Sequence, residues 1–106
     1  MIVEVNDDNF WEYVSNGLKI VEVFAPWCGY CTRQRVELEK MENVNIGALN
    51  SENTPISMKM LNVTAFPTLV VFKNGKELNR FLGLKTKYEI MDIMQPQHQL
   101  LPLIKY

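Results

Sequence analysis

Two cysteines, Cys28 and Cys31, stand three positions apart in Ala25-Pro26-Trp27-Cys28-Gly29-Tyr30-Cys31. A thiolate is both a nucleophile and a metal ligand, so the pair serves either disulfide exchange or metal binding. A structural zinc site takes four ligands, and the chain holds only two cysteines and one histidine, His98. One copy alone falls short of the usual set, whereas two copies would bring four thiolates together. A purely structural disulfide would close too short a loop to constrain the unfolded chain much. Exchange chemistry is the better-supported reading. At a helix N-terminus, Cys28 would face unpaired backbone N–H groups and the positive end of the helix dipole, and both favour the thiolate. Cys31, one turn further in, is expected to be more buried. It would attack a mixed disulfide between Cys28 and a substrate, freeing the substrate and leaving a Cys28–Cys31 disulfide. Gly29 would let a target chain come close, and Trp27 would offer it an apolar surface.

Those thiols need a strand to deliver them and a helix to receive them. Lys19 to Ala25 is β-branched and mostly apolar, as in a central strand buried on both faces. Tyr30 to Met41 follows as a helix, with Val36, Leu38 and Met41 as its apolar positions. Ahead of them, Met1 to Val5 suits a short edge strand. Asn6-Asp7-Asp8-Asn9 offers caps to a first helix, with Phe10, Trp11 and Val14 on its apolar side and Asn16-Gly17 as its stop. Behind them, Asn45 to Asn50 is a short strand. Pro55 to Met60 is a third helix, with Ile56, Met60 and Leu61 available to the core. Thr68 to Lys73 and Lys76 to Leu82 are strands joined at Asn74-Gly75, a strong hairpin signal. Thr86-Lys87-Tyr88-Glu89 matches a capping box and opens the last helix. Ile90, Ile93 and Met94 line its buried side, Tyr88 packs along it, and Pro96 ends it. Strands and helices alternate and then finish with a hairpin and a helix. The fold class is α/β, a mixed central sheet flanked by helices.

At 106 residues, 47% hydrophobic and 22% charged with net charge -1, the chain has the composition of one soluble globular domain. It has no basic block for nucleic acid or a membrane surface. The first residues lack the basic and apolar regions of a signal peptide, and no apolar run is long enough to span a bilayer. A cytoplasmic location is expected, where a thiol pair is catalytic or metal-binding rather than structural.

The chain resembles the thioredoxin family over about residues 3 to 95. Phe24-Ala25-Pro26-Trp27-Cys28-Gly29-Tyr30-Cys31 is similar to the family's active-site segment. Phe66-Pro67-Thr68 and the following Leu69-Val70-Val71-Phe72-Lys73-Asn74-Gly75 are similar to its cis-proline loop, strand and hairpin. Gly83 matches the glycine after the last strand. The resemblance implies a thioredoxin-like fold, with Cys28 as attacking and Cys31 as resolving thiol. It implies a substrate surface of Trp27, Gly29, Tyr30, Phe66 and Pro67. Glu22 matches the family's buried acid, usually Asp, which resembles a proton acceptor for the resolving thiol. A buried carboxylate is expected to hold its proton more tightly.

Four departures from the family pattern stand out. Ala48 replaces the lysine near the buried acid, which points to a strongly raised Glu22 pKa. Val36 replaces a helix-kinking proline, which points to a straighter second helix. Tyr30 occupies a position where proline is common, and the Gly-Tyr pair resembles that of periplasmic disulfide isomerases. Its N–H is an extra donor for Cys28, which would make the disulfide more oxidising. Arg33 and Arg35 would act the same way if they folded toward the helix start, and otherwise are solvated surface charges. Residues 96–106 have no family counterpart and form an apolar tail, with Leu100, Leu101, Leu103 and Ile104 around Pro102. His98 belongs to that tail rather than to the chemistry.

The function expected is a protein dithiol–disulfide oxidoreductase that reduces protein disulfides in electron transport and redox homeostasis. It would need no bound cofactor and would be recharged by a thioredoxin reductase or similar donor. Alternatives are a disulfide oxidase or isomerase, a glutathione-linked glutaredoxin-like protein, and a non-enzymatic partner subunit built on the same fold. The chain is expected to act as a monomer, with the tail as a route to a dimer.

Overall fold

Strand β2 (Leu18–Phe24) has buried side chains on both faces from Ile20 to Val23. The computed structural model, which describes residues 1–94, explains this by placing β2 at the centre of a five-stranded sheet. The chain order is β1 (Ile2–Val5), α1 (Phe10–Val14), β2, α2 (Gly29–Glu39), β3 (Asn45–Asn50), α3 (Pro55–Leu61), β4 (Thr68–Lys73), β5 (Lys76–Leu82) and α4 (Lys87–Met94). The spatial order is β1-β3-β2-β4-β5. β3 runs parallel to both β1 and β2, while β4 is antiparallel to β2 and β5.

Strand alternation divides the core into two layers. Val21 and Val23 join Phe10, Val14, Leu49, Leu61 and Phe72 on one side. Ile20 joins Leu38, Ile46, Leu69 and Ile90 on the other. Helices α1 and α3 therefore cover the first face, and α2 and α4 the second. Glu22 has the parity of Ile20, so its side chain falls on the face that α2 covers.

The ends of the elements are held by side chains. The hairpin between β4 and β5 turns at Asn74 and Gly75, whose φ angles of +50° and +84° suit asparagine and glycine. The Asn74 side chain accepts from the Gly17 N–H at 2.8 Å and docks the hairpin against the end of α1. The capping box of α4 forms in both directions: Thr86 Oγ1 accepts from Glu89 N–H and Glu89 Oε1 from Thr86 N–H. Asp7 does not cap the helix that follows it. Its carboxylate accepts from the N–H groups of Ile56 and Ser57 and from the Ser57 hydroxyl, capping α3 from across the fold.

The structure corrects several helix faces. Helix α1 starts only at Phe10, because Asn6 and Asn9 cap the turn before it. Trp11 points outward and meets Phe10 edge-on. On α2 the buried positions are Cys31, Gln34 and Leu38, and Val36 is exposed. Gln34 breaks the apolar pattern but is fully satisfied, accepting from Lys85 N–H at 2.8 Å and donating to Lys85 C=O at 3.0 Å. On α3 the buried pair is Ser57 and Leu61, leaving Ile56 and Met60 outside. Tyr88 is exposed rather than packed, and on α4 Ile90 is buried while Ile93 and Met94 are half-buried. Among the described residues no helix is long and apolar enough to cross a membrane. The expectations for Pro96, His98 and the apolar tail lie outside the described residues.

Candidate active site

Central strand β2 runs out at Phe24, and the chain turns through Ala25 to Trp27 before α2 begins. The Cys28 N–H donates to Ala25 C=O at 3.1 Å, closing that turn. Cys28 is then the N-cap of α2, in extended conformation, with its side chain accepting from Cys31 N–H at 3.2 Å. A helix N-terminus carries unpaired N–H groups, and one of them is spent on the Cys28 sulfur. That donor is the Cys31 N–H; among the described residues the Tyr30 N–H makes no such bond.

Both cysteines are buried, and Cys28 (8% exposed) is the more accessible residue beside Cys31 (4%). Ala25, Cys28 and Cys31 form a small cluster of their own, with Phe24 and Phe66 packed against it. Burial is the main reason that the Cys31 thiol is pushed up to about 12. The Cys28 side chain and the negative charge of Glu22 act in the same direction. Cys31 therefore keeps its proton in the resting dithiol and needs a base when it reacts.

Around the thiols, Trp27 and Tyr30 are open to solvent at 71% and 61% exposure. Trp27 meets Phe66 edge-to-face, with ring centroids 6.0 Å apart. Arg33 lies over the Tyr30 ring, 5.8 Å from its centroid. Gly29 is exposed, and a Cβ there would meet nothing within 4 Å, so its surface is open to an incoming chain. The Phe66–Pro67 bond is cis, and Pro67 is buried. β4 pairs Thr68 with Val23. Continuing that register sets Pro67 and Phe66 level with Phe24 and Ala25, at the end of the sheet that carries the cysteines. Residues drawn from distant stretches of sequence thus converge on one rim.

Glu22 is fully buried on the α2 side of β2. Its backbone neighbours are Ala48 on β3 and Leu69 on β4, neither charged. The missing lysine at Ala48 does not leave the acid unpaired. Arg35 Nε donates to Glu22 Oε1 at 2.7 Å, and its guanidinium also lies over the Phe24 ring. Glu22 Oε2 is buried without a hydrogen-bond partner among the described residues. Burial holds the Glu22 carboxyl above its ordinary range, the charge and hydrogen bond of Arg35 pull it back, and Glu39 adds a small push upward. Arg35 is the site residue that the sequence did not single out for this task. Its signal was present: it stands four positions after Cys31, on the same helix face, above the strand that carries Glu22.

A family model described as Thioredoxin matches residues 1–96 of this chain. The chain belongs to the thioredoxin family. It is 35% identical over 102 residues to a thioredoxin of Chlamydia caviae, covering 92% of this chain and 99% of that one. A thioredoxin of Staphylococcus haemolyticus is 31% identical over 98 residues, covering 88% and 94%. Among solved structures, thioredoxin f2 of Chlamydomonas reinhardtii superposes with a TM-score of 0.79 at 23% identity, covering 92% of this chain and 98% of that one. A thioredoxin of Malassezia sympodialis gives 0.77 at 19% identity, covering 88% and 87%; at these identities the superpositions speak for the fold. With Cys28 and Cys31 at the family's spacing, the chain is a protein dithiol–disulfide oxidoreductase. Family membership implies protein substrates and a reductase partner in general. The oxidase or isomerase, glutathione-linked and non-enzymatic alternatives are not favoured by these relatives.

Proposed function

We propose that the chain works in the reducing direction, with Cys28 as nucleophile, Cys31 as resolving thiol and Glu22 as proton acceptor. The observation that carries this division of labour is the bond from Cys31 N–H to Cys28 Sγ at 3.2 Å. It directs a backbone donor at one sulfur and leaves the other as a buried, proton-holding thiol. The Cys28 thiolate attacks one sulfur of a substrate disulfide, and the departing substrate sulfur leaves as a thiolate. Cys31 then loses its proton to Glu22 and attacks Cys28 Sγ. The mixed disulfide breaks, the second substrate thiolate departs, and two electrons have passed to the substrate. A thioredoxin reductase or similar donor would return them.

Trp27, Gly29, Tyr30, Phe66 and Pro67 would form the surface against which an extended substrate segment lies. Apolar rings and open backbone at one rim suit that kind of partner. The reading extends to a monomer acting in cytoplasmic redox homeostasis, where a reductase keeps the dithiol reduced. It also assigns the activity to residues 1–95 and leaves 96–106 as a separate tail, supported by a family match that ends at residue 96. The test is insulin-disulfide reduction coupled to NADPH and a thioredoxin reductase. Wild type should turn over, while Cys28→Ser and Cys31→Ser should each lose turnover. Turnover retained by both serine variants would overturn the reading.

A further inference from the structure

Glu22 and Cys31 both line an open cleft of about 350 Å³, together with Phe24, Thr32, Arg35 and Glu39. The cleft gives the buried acid a route to solvent, and Arg35 stands in it. The arginine is half-buried, with its side chain 33% exposed, while the carboxylate that it grips is wholly buried. Its grip takes one oxygen only: Oε1 accepts from Arg35 Nε, and Oε2 is left buried and unpartnered. A buried acceptor atom in that state is costly, and the cost is offset when a proton or a donor arrives.

We propose that Arg35 is the positioning residue of the resolving step, holding Glu22 by one oxygen while the other stays free for the Cys31 proton. The proposal rests on the reading of Glu22 as proton acceptor. The lysine position of the family, Ala48, lies beside Glu22 on β3 and carries no charge. The counter-charge comes instead from the helix that bears the reacting thiol. Cys31 and Arg35 share one face of α2, so the cation that grips Glu22 and the thiol that Glu22 would deprotonate are carried on a single helix.

The charged and titratable groups around Glu22 are few. Helix α2 contributes Cys31, Arg35 and Glu39, the N-cap contributes Cys28, and the flanking strand neighbours Ala48 and Leu69 contribute none. Arg35 is the cation of that set. In the step itself the Cys31 S–H bond breaks, its proton goes to Glu22 Oε2 directly or through a water in the cleft, and the Cys31 sulfur forms its bond to Cys28 Sγ. Without Arg35 the carboxyl would keep a proton to higher pH and would not be available as a base.

The test follows resolution of a mixed disulfide at Cys28. Reduced full-length protein is mixed with one equivalent of dithiobis(nitrobenzoate) in a stopped-flow instrument, and the second thionitrobenzoate release is timed against pH. In wild type this rate should rise along a limb set by Glu22. Arg35→Met and Arg35→Gln should move the limb upward by about one pH unit or more, and Arg35→Lys should restore most of it. Glu22→Gln should remove the limb, and Arg35→Gln added to it should then change nothing further. Circular dichroism confirms folding, and Arg35→Gln, which keeps a donor but no charge, carries the test if Arg35→Met does not fold. A limb unmoved in Arg35→Gln but lost in Glu22→Gln overturns the role of Arg35 and leaves that of Glu22. A limb retained in Glu22→Gln overturns the proton-acceptor reading beneath it.

Discussion

Glu22 holds its proton more tightly in the fold than in the unfolded chain, chiefly because burial disfavours its charge. Its protonated form therefore supports folding below the ordinary value of 4.5, and that support is lost as pH rises through the elevated native value. Glutamine mimics the protonated acid at every pH. The melting temperature of Glu22→Gln, relative to wild type, should accordingly climb between pH 4 and pH 8, as read by thermal scans about one pH unit apart. A constant difference would contradict the burial account. Cys31 makes a second residue-scale prediction. Held as a buried thiol, it should resist iodoacetamide at neutral pH while Cys28 is labelled, with tandem mass spectrometry locating the adduct. At this scale the sequence pointed to Glu22 as the odd residue of a β-branched strand, and the structure buries it. Arg35 was less legible. An arginine on a helix is ordinarily a solvated charge, and only the packing of α2 over β2 turns it inward.

Element bounds followed the sequence closely where turns are chemically distinct. α3 begins at Pro55, β4 begins directly after Pro67, and Asn74-Gly75 separates β4 from β5. Helix faces were harder, because α1 and α3 are short and α2 buries a glutamine in place of an apolar side chain. Periodicity alone pointed to Val36, Ile56 and Trp11, yet tertiary partners decided the buried side. Gln34→Leu tests one such partner. It would leave the N–H and C=O of Lys85 without their bonds at the start of α4 and should cost about 1–3 kcal/mol in urea unfolding. Gly47→Ala tests the other face. A Cβ there would sit 2.6 Å from Val5 Cγ2 and 2.7 Å from the Tyr13 ring, where β3 passes beneath the first layer. The crowding should cost about 1–3 kcal/mol by the same measurement.

The whole molecule is an oxidoreductase scaffold in which sheet topology does the positioning. A parallel half, β1-β3-β2, delivers Glu22 and the cysteines, and an antiparallel half brings Phe66 and Pro67 to the same end. The α/β class was readable from the alternation of elements, and the rim from two motifs separated in sequence. What pattern could not supply was the partner of the buried acid, since it depends on which helix covers which strand. Truncation after Gln95 should preserve insulin reduction, because every residue assigned to the rim and the relay precedes it. In the proposed reaction Cys28 attacks and Cys31 resolves. Non-reducing mass spectrometry after mixing each single-cysteine variant with insulin tests it most directly. Cys31→Ser should accumulate a stable adduct through Cys28, and Cys28→Ser should accumulate none. An adduct through Cys31 in Cys28→Ser, with none in Cys31→Ser, would contradict the account.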